Sequence, residues 1–187
     1  WLQMAFNPSA LSHLSHVILG CWMAGSFLVI SVSAYYLLKN RYTDFAIRSM
    51  KIGLSIALAS VILQLVSADH LAKLIAKYNP VKFAAFEGAY KTQEYTPLYA
   101  FGYVDHEKQE VHGLAIPGAL SFLVHGDVKT PVAGLDQAPK EHWPWVQVVF
   151  QVYHIMVATW GFMFVAVIIG LWMWKKNAWQ THPLMLK

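Results

Sequence analysis

Residues 143–174 read WPWVQVVFQVYHIMVATWGFMFVAVIIGLWMW, 32 residues without an Asp, Glu, Lys or Arg. A helix that crosses the hydrocarbon core of a bilayer needs about 20 mostly apolar residues. A run of this length offers water no polar face, so it is read as a membrane span rather than a core helix. Its main polar interruptions are Gln147, Gln151 and His154. Working outward, Val17 to Leu38 gives 22 further uncharged residues, and Ile52 to Ala68 gives 17 more, broken by Ser55, Ser60, Gln64 and Ser67. The expected fold is therefore all-α: an integral membrane helical bundle of three transmembrane helices with a long extracytoplasmic loop. The first run is too long for a cleavable signal peptide and lacks a basic leader.

The composition agrees with this. Only 13% of the 187 residues are charged and 57% are hydrophobic, about half the charge of an ordinary soluble domain. That excludes a disordered chain, a coiled coil and a nucleic-acid-binding tail. A single cysteine, Cys21, excludes a disulfide framework and a Cys-rich metal site within the chain. Trp1 in place of an initiating Met gives the expectation that the sequence starts inside a longer protein.

Local chemistry sets the boundaries. Asn7-Pro8-Ser9 starts the first span, expected over 8–38, because a proline in the first turn lacks only an N–H that would be unpaired anyway. Thr43-Asp44 caps the second, expected over 44–70, and His142-Trp143-Pro144 precedes the third, expected over 145–174. Lys39, Arg41, Arg48 and Lys51 flank the first short connection against Asp44 alone, and Lys175 and Lys176 close the third span. The positive-inside rule makes that side cytoplasmic. The long connection, 71–144, whose basic and acidic residues nearly balance, then faces the periplasm or cell exterior. Trp143, Trp145, Trp172, Trp174 and Trp179 lie near the two ends of the third span, as an interfacial aromatic belt requires.

Loops this long are usually functional or disordered, and the frequent Phe, Tyr, Leu and Ile of this one argue for order. Asp69 to Tyr78 reads as a helical extension of the second span, Lys82 to Tyr90 as a short helix, and the rest as ordered loop with extended pieces.

Two residue types stand out in the spans. His13 and His16 lie one turn apart near the start of the first, and Met156 lies two residues after His154 in the third. At about 1.5 Å per residue, His16 is roughly 12 Å in from Pro8 and Met156 roughly 16 Å in from Trp145. An imidazole and a thioether at matched depth on parallel helices suit the axial ligation of a low-spin haem, the thioether raising its potential. His13, His16 and His154 offer a bis-histidine site equally well. In the loop, Asp69-His70 and the stretch Lys82 to Glu87 place a lysine and carboxylates where a quinol could bind and lose protons; an ordinary solvated charge pair gives the same pattern.

Several motifs resemble one family, in order along the chain. Asn7-Pro8-Ser9-Ala10 followed by His16, then Gly25-Ser26-Phe27 and Ser31-Val32-Ser33-Ala34-Tyr35-Tyr36-Leu37-Leu38, resembles the fifth span of subunit I of the cytochrome bd quinol oxidases. Phe45-Ala46-Ile47-Arg48-Ser49-Met50-Lys51-Ile52 resembles the start of its sixth span. Lys82-Phe83-Ala84-Ala85-Phe86-Glu87 resembles the Lys-x-Ala-Ala-x-Glu signature of its quinol-binding loop, and Tyr153-His154-Ile155-Met156-Val157-Ala158 the start of its seventh span.

The resemblance implies that His16 and Met156 are the axial ligands of the low-spin haem b, with His154 beside them. It implies that Lys82 and Glu87, with Asp69 more weakly, bind quinol and accept its protons. It implies a bacterial cytoplasmic membrane location, contact with lipid, and partners in the remainder of subunit I and in oxidase subunit II, with no nucleic acid involved. The family's high-spin haem b and haem d belong to parts of subunit I outside this stretch, and the Gly-Arg-x-Pro-Trp motif that follows its seventh span is absent here. The chain is thus expected to be the electron-input end of a quinol:oxygen oxidoreductase, inactive in oxygen reduction by itself. The rival from another class is a non-enzymatic haem b carrier that docks to a separate oxidase; continuous coding on both sides of residues 1 and 187 would argue against it.

One departure generates a prediction. The family often has an arginine where this chain has His154, two residues before the ligand methionine. A neutral imidazole stabilises a reduced haem less than a fixed guanidinium, and a protonated one does so only while protonated. A redox titration is expected to give a lower or pH-sensitive haem potential relative to His154→Arg. Equal potentials in the two proteins across about pH 6–8 would refute this.

Overall fold

The structure, a computed structural model, describes residues 7–176 and residue 179. Trp1 lies outside the described residues. Three long helices dominate: α1 (Pro8–Leu38), α2 (Thr43–Tyr78) and, after the connection, α5 (Val146–Lys175). All three are long and apolar enough to cross a membrane. By its internal contacts the chain forms two compact units, residues 1–68 with 160–187, and residues 69–159.

In the first unit, α1 begins where Asn7 caps it, its side chain accepting a hydrogen bond from the Ala10 N–H at 2.7 Å. The helices meet through small residues. Ser26 and Ser33 are buried on α1, and Gly53, Ala57 and Ser60 on α2. A Cβ on Gly53 would sit 3.0 Å from Ile30 and 3.4 Å from the Ser26 carbonyl oxygen. Such close approach gains dispersion contact where lipid supplies no hydrophobic drive between helices. Two clusters result: Ala34, Leu37, Ala46, Met50, Leu54 and Met173, and the smaller group of Ala57, Val61 and Val167. The remaining apolar side chains face outward, Leu28 at 66% and Phe162 at 73% exposure. Apolar surface of that extent belongs against lipid.

In the second unit, α2 runs on to Tyr78, as the extension read at Asp69–Tyr78 anticipated. The short helix α3 occupies Pro80–Glu87 rather than 82–90. Asn79 caps its start, accepting from the Lys82 N–H at 3.2 Å, and Gly88 ends it in the left-handed conformation at φ 67°. Only glycine fits there, since a Cβ would also meet Val111 at 2.5 Å. The extended pieces are a hairpin of β1 (Leu98–Asp105) and β2 (Glu110–Ile116), antiparallel with Asp105 opposite Glu110 and a bulge between Tyr99 and Phe101. Asp105 Oδ1 turns the chain by accepting from the N–H groups of Glu107 and Lys108. The short helix α4 (Ala119–His125) follows, where the sequence reads as ordered loop. Ala84, Ala85, Tyr90, Val104, Leu135 and Phe150 form the main core of this unit.

Two segments 42 residues or more apart are tied by Thr92 and Asp136: the Thr92 N–H and hydroxyl donate to the carboxylate at 2.9 and 2.7 Å, and the Gly134 N–H donates to Thr92 Oγ1. Gly134 lies directly on the backbone of Lys91 and Thr92, where a Cβ would clash with main-chain atoms. Gly134→Ala is expected to loosen this tie at a cost of about 1–3 kcal/mol. Limited proteolysis between residues 91 and 136 should then quicken relative to the wild type.

Candidate functional site

In the second unit the chemistry centres on Glu87. The C-terminal turn of α3 carries it inward, where it is only 3% exposed. Its Oε2 has no hydrogen-bond partner. Burial pushes its pKa from an ordinary 4.5 up to about 7, while a hydrogen bond from the Tyr153 hydroxyl and the nearby His154 imidazole pull the other way. Desolvation wins because both partners together replace less than the water that was lost.

The surroundings are aromatic. Phe86 stacks on Tyr153 with centroids 4.9 Å apart and planes 1° from parallel, and Phe150 stacks on His154 at 3.9 Å. Lys82, on the same helix α3, is exposed and holds its Nζ 5.6 Å above the Phe86 ring. Lys82 and Glu87 are five residues apart, a rotation of about 140° round the helix. The two groups therefore do not share one pocket but are joined through aromatic rings: Lys82 over Phe86, Phe86 on Tyr153, and the Tyr153 hydroxyl to Glu87. Glu87 also borders an open cavity of about 340 Å³ lined by Tyr90, Lys91, Tyr99, Gln109 and Glu110. Asp69 stands outside this group. It is half exposed and paired with Lys73 at 2.7 Å, one helical turn on.

His154 is fully engaged. Its Nδ1 lies 2.8 Å from the Phe150 carbonyl oxygen and its Nε2 2.8 Å from that of Tyr99. Carbonyls only accept, so each ring nitrogen faces an acceptor. Met156, one turn from Val152 on α5, is 54% exposed, its thioether turned away from the core.

In the first unit, His16 on α1 faces α2. The Gln64 amide nitrogen lies 3.0 Å from its Nε2 and 3.4 Å from its Nδ1, and the Ser67 hydroxyl lies 3.3 Å from Nδ1. The Gln64 Oε1 is buried without a partner. His13, by contrast, is exposed and bonds back to the Ser9 carbonyl oxygen at 2.8 Å. Among the described residues, no three His, Cys, Asp or Glu side chains gather to hold a metal ion.

Sequence reading missed Tyr153 and Gln64 as partners. In the sequence Tyr153 is only a motif letter and Gln64 only a polar break in an apolar run, and the contacts span 66 and 48 positions.

Fold and site define a multi-pass helical membrane protein with a buried carboxyl in one unit and a partnered span histidine in the other. The family model for cytochrome bd terminal oxidase subunit I matches residues 1–186. The chain belongs to that family. It is 31% identical over 176 residues to a Bacillus subtilis (strain 168) protein assigned as a cytochrome bd menaquinol oxidase subunit I, covering 91% of this chain and 39% of that one. It is 29% identical over 147 residues to the cytochrome bd-II ubiquinol oxidase subunit 1 of Escherichia coli (strain K12), covering 78% of this chain and 29% of the relative. The solved bd oxidase from Geobacillus thermodenitrificans superposes with a TM-score of 0.85 at 25% identity, over 99% of this chain and 43% of that one. The chain thus spans less than half the length of each.

The raised Glu87 pKa makes stability pH-dependent. Below about 4.5 the carboxyl is protonated in both folded and unfolded chains and costs nothing. As pH climbs from there to about 7, the unfolded chain releases its proton first, so the folded state loses roughly 3 kcal/mol of relative stability. Glu87→Gln escapes this loss. In detergent, its melting temperature is expected to exceed the wild type at about pH 8 and to converge with it at about pH 4.5.

Proposed function

We propose that this chain is the quinol-oxidising portion of a cytochrome bd-type terminal oxidase. Residues 71–144, on the outer side of the bacterial cytoplasmic membrane, bind a membrane quinol, and His16 and Met156 hold a low-spin haem b. The observation that carries this reading is Glu87, a buried carboxyl with an unpartnered oxygen and a pKa of about 7. A base is most effective when its pKa lies near the working pH, and a quinol must shed its hydroxyl protons as it is oxidised.

The roles divide by position. Glu87 accepts a proton at Oε2, the oxygen with no partner. Tyr153 fixes the carboxyl through the other side of the site, and Phe86 and Tyr153 offer flat apolar faces to a quinol ring. Lys82, exposed over Phe86, supplies positive charge to a quinol oxygen. Asp69 is the weaker candidate of the three, since Lys73 already neutralises it. The Glu87-lined cavity, with Lys91 and Glu110 on its walls, gives the proton a polar way out.

A haem, when bound, supplies the one-electron chemistry that moves electrons onward. The span imidazole of His16 and the exposed thioether of Met156 are donor types that suit such a group. His154 fits an iron ligand poorly, because both of its nitrogens are committed to carbonyls. That supports the histidine–methionine pair over a bis-histidine one. Reduction of dioxygen to water in aerobic respiration then falls to the high-spin haem b and haem d on the rest of subunit I, partnered by subunit II.

In the assembled oxidase, His16→Ala or Met156→Leu is expected to abolish the low-spin haem b absorption. Glu87→Ala should keep that absorption while quinol oxidation falls by about 100-fold. A normal six-coordinate low-spin haem in His16→Ala would refute the ligand assignment, and undiminished quinol oxidation in Glu87→Ala would refute the base.

A further inference from the structure

The polar residues of the first unit are mostly self-sufficient. Ser15, Ser31, Ser33 and Ser55 each donate to a carbonyl one turn back on their own helix. Gln64 is different: it is buried, sits on α2, and spends its amide across the helix interface on His16. An amide at that depth is costly unless its groups are paired, yet Oε1 has no donor.

Which of the two amide groups meets the imidazole depends on the orientation of the amide. The oxygen and nitrogen of a glutamine amide exchange places by a half-turn that leaves its shape unchanged. With the amide turned over, the buried Oε1 takes the position now 3.0–3.4 Å from the imidazole nitrogens and accepts the ring N–H it lacks. Ser67, 3.3 Å from Nδ1, acts from the same side. The imidazole is then held as a single tautomer, with Nε2 donating to the glutamine oxygen at the 3.0 Å position and Nδ1, beside the Ser67 hydroxyl at 3.3 Å, keeping its lone pair. Metal-bound histidines are held this way by an acceptor on the second nitrogen, which also raises their basicity.

We propose that Gln64 is the positioning residue for His16, fixing its tautomer and orientation as an axial haem ligand and lowering the haem potential by strengthening the imidazole as a donor. This rests on the reading of His16 as a ligand. Gln64 itself touches neither iron nor quinol. Gln64 is buried, so a near-isosteric replacement is the fair probe.

The test is a redox titration of the low-spin haem b in the assembled oxidase, with optical spectra recorded alongside. Gln64→Met removes the acceptor and keeps the volume; Gln64→Glu keeps an acceptor. Gln64→Met is expected to retain the low-spin spectrum and to shift the ferrous-to-ferric ratio about tenfold toward ferrous at a fixed ambient potential, a rise of about 59 mV for one electron. Gln64→Glu should hold the wild-type potential or fall below it. Loss of haem from Gln64→Met with retention in Gln64→Glu also supports the assignment, because the acceptor is then required. A wild-type potential in haem-replete Gln64→Met overturns it, as does loss of haem from both variants. A low-spin haem surviving in His16→Ala marks a different failure, that of the ligand reading itself.

Discussion

A polar group placed in an apolar, lipid-facing segment must find its partner within the protein, because the bilayer core supplies none. That constraint organises this chain. It selects helices for the long uncharged runs, since only a helix pairs its own backbone. It also sends hydroxyls back onto their own helices, as Ser26 onto the Met23 carbonyl oxygen and Thr159 onto that of Ile155. Among the described residues, the buried side-chain atoms without a partner are Ser60 Oγ and Gln64 Oε1 in a span and Glu87 Oε2 in the long connection. Two of the three lie on residues that face a candidate functional group. The third, Ser60, lies one turn before Gln64 on the same face of α2.

The spans were legible because the same constraint is written in composition. Helix α1 begins and ends at the expected residues, 8 and 38, fixed by Asn7-Pro8 and by the polar Lys39-Asn40-Arg41. Helix α2 outruns its apolar segment by nearly three turns to Tyr78 because residues 69–78 keep a helical pattern after the apolar one stops. Helix α3 starts two residues early, at Pro80, where Asn79 caps and proline fits the first turn; it stops at Glu87 because Gly88 turns left-handed. The hairpin was legible only as extended pieces. Its register depends on which residues meet across the ribbon, Phe101 with Leu114 and Tyr103 with His112, and no local propensity encodes that pairing.

The site divides along the same line. Residue types with rare chemistry, a histidine in a span and a Lys–Glu pair in a short helix, stood out in the sequence. Their partners did not, because Tyr153 and Gln64 are ordinary residues until the fold brings them to Glu87 and His16. Nor did the sequence reveal that Lys82 and Glu87 part company. Their shared motif reads as one site, yet helical geometry sends one out and one in, leaving a charged group and a buried carboxyl on different sides of α3.

The balance at Glu87 follows from this separation. Were Lys82 within ion-pair distance, its charge would hold the carboxylate ionised and depress its pKa, as opposite charges at short range do. With the lysine outside, the favourable influences are the Tyr153 hydroxyl and the His154 ring, and neither outweighs the loss of water. The His154 ring in turn is held by two backbone carbonyls, so it cannot swing in to form a closer pair. Committing the imidazole to the backbone thus leaves the carboxyl near neutrality, able both to take a proton and to give it up. A tighter ion pair at this position would be more stably charged and a poorer base.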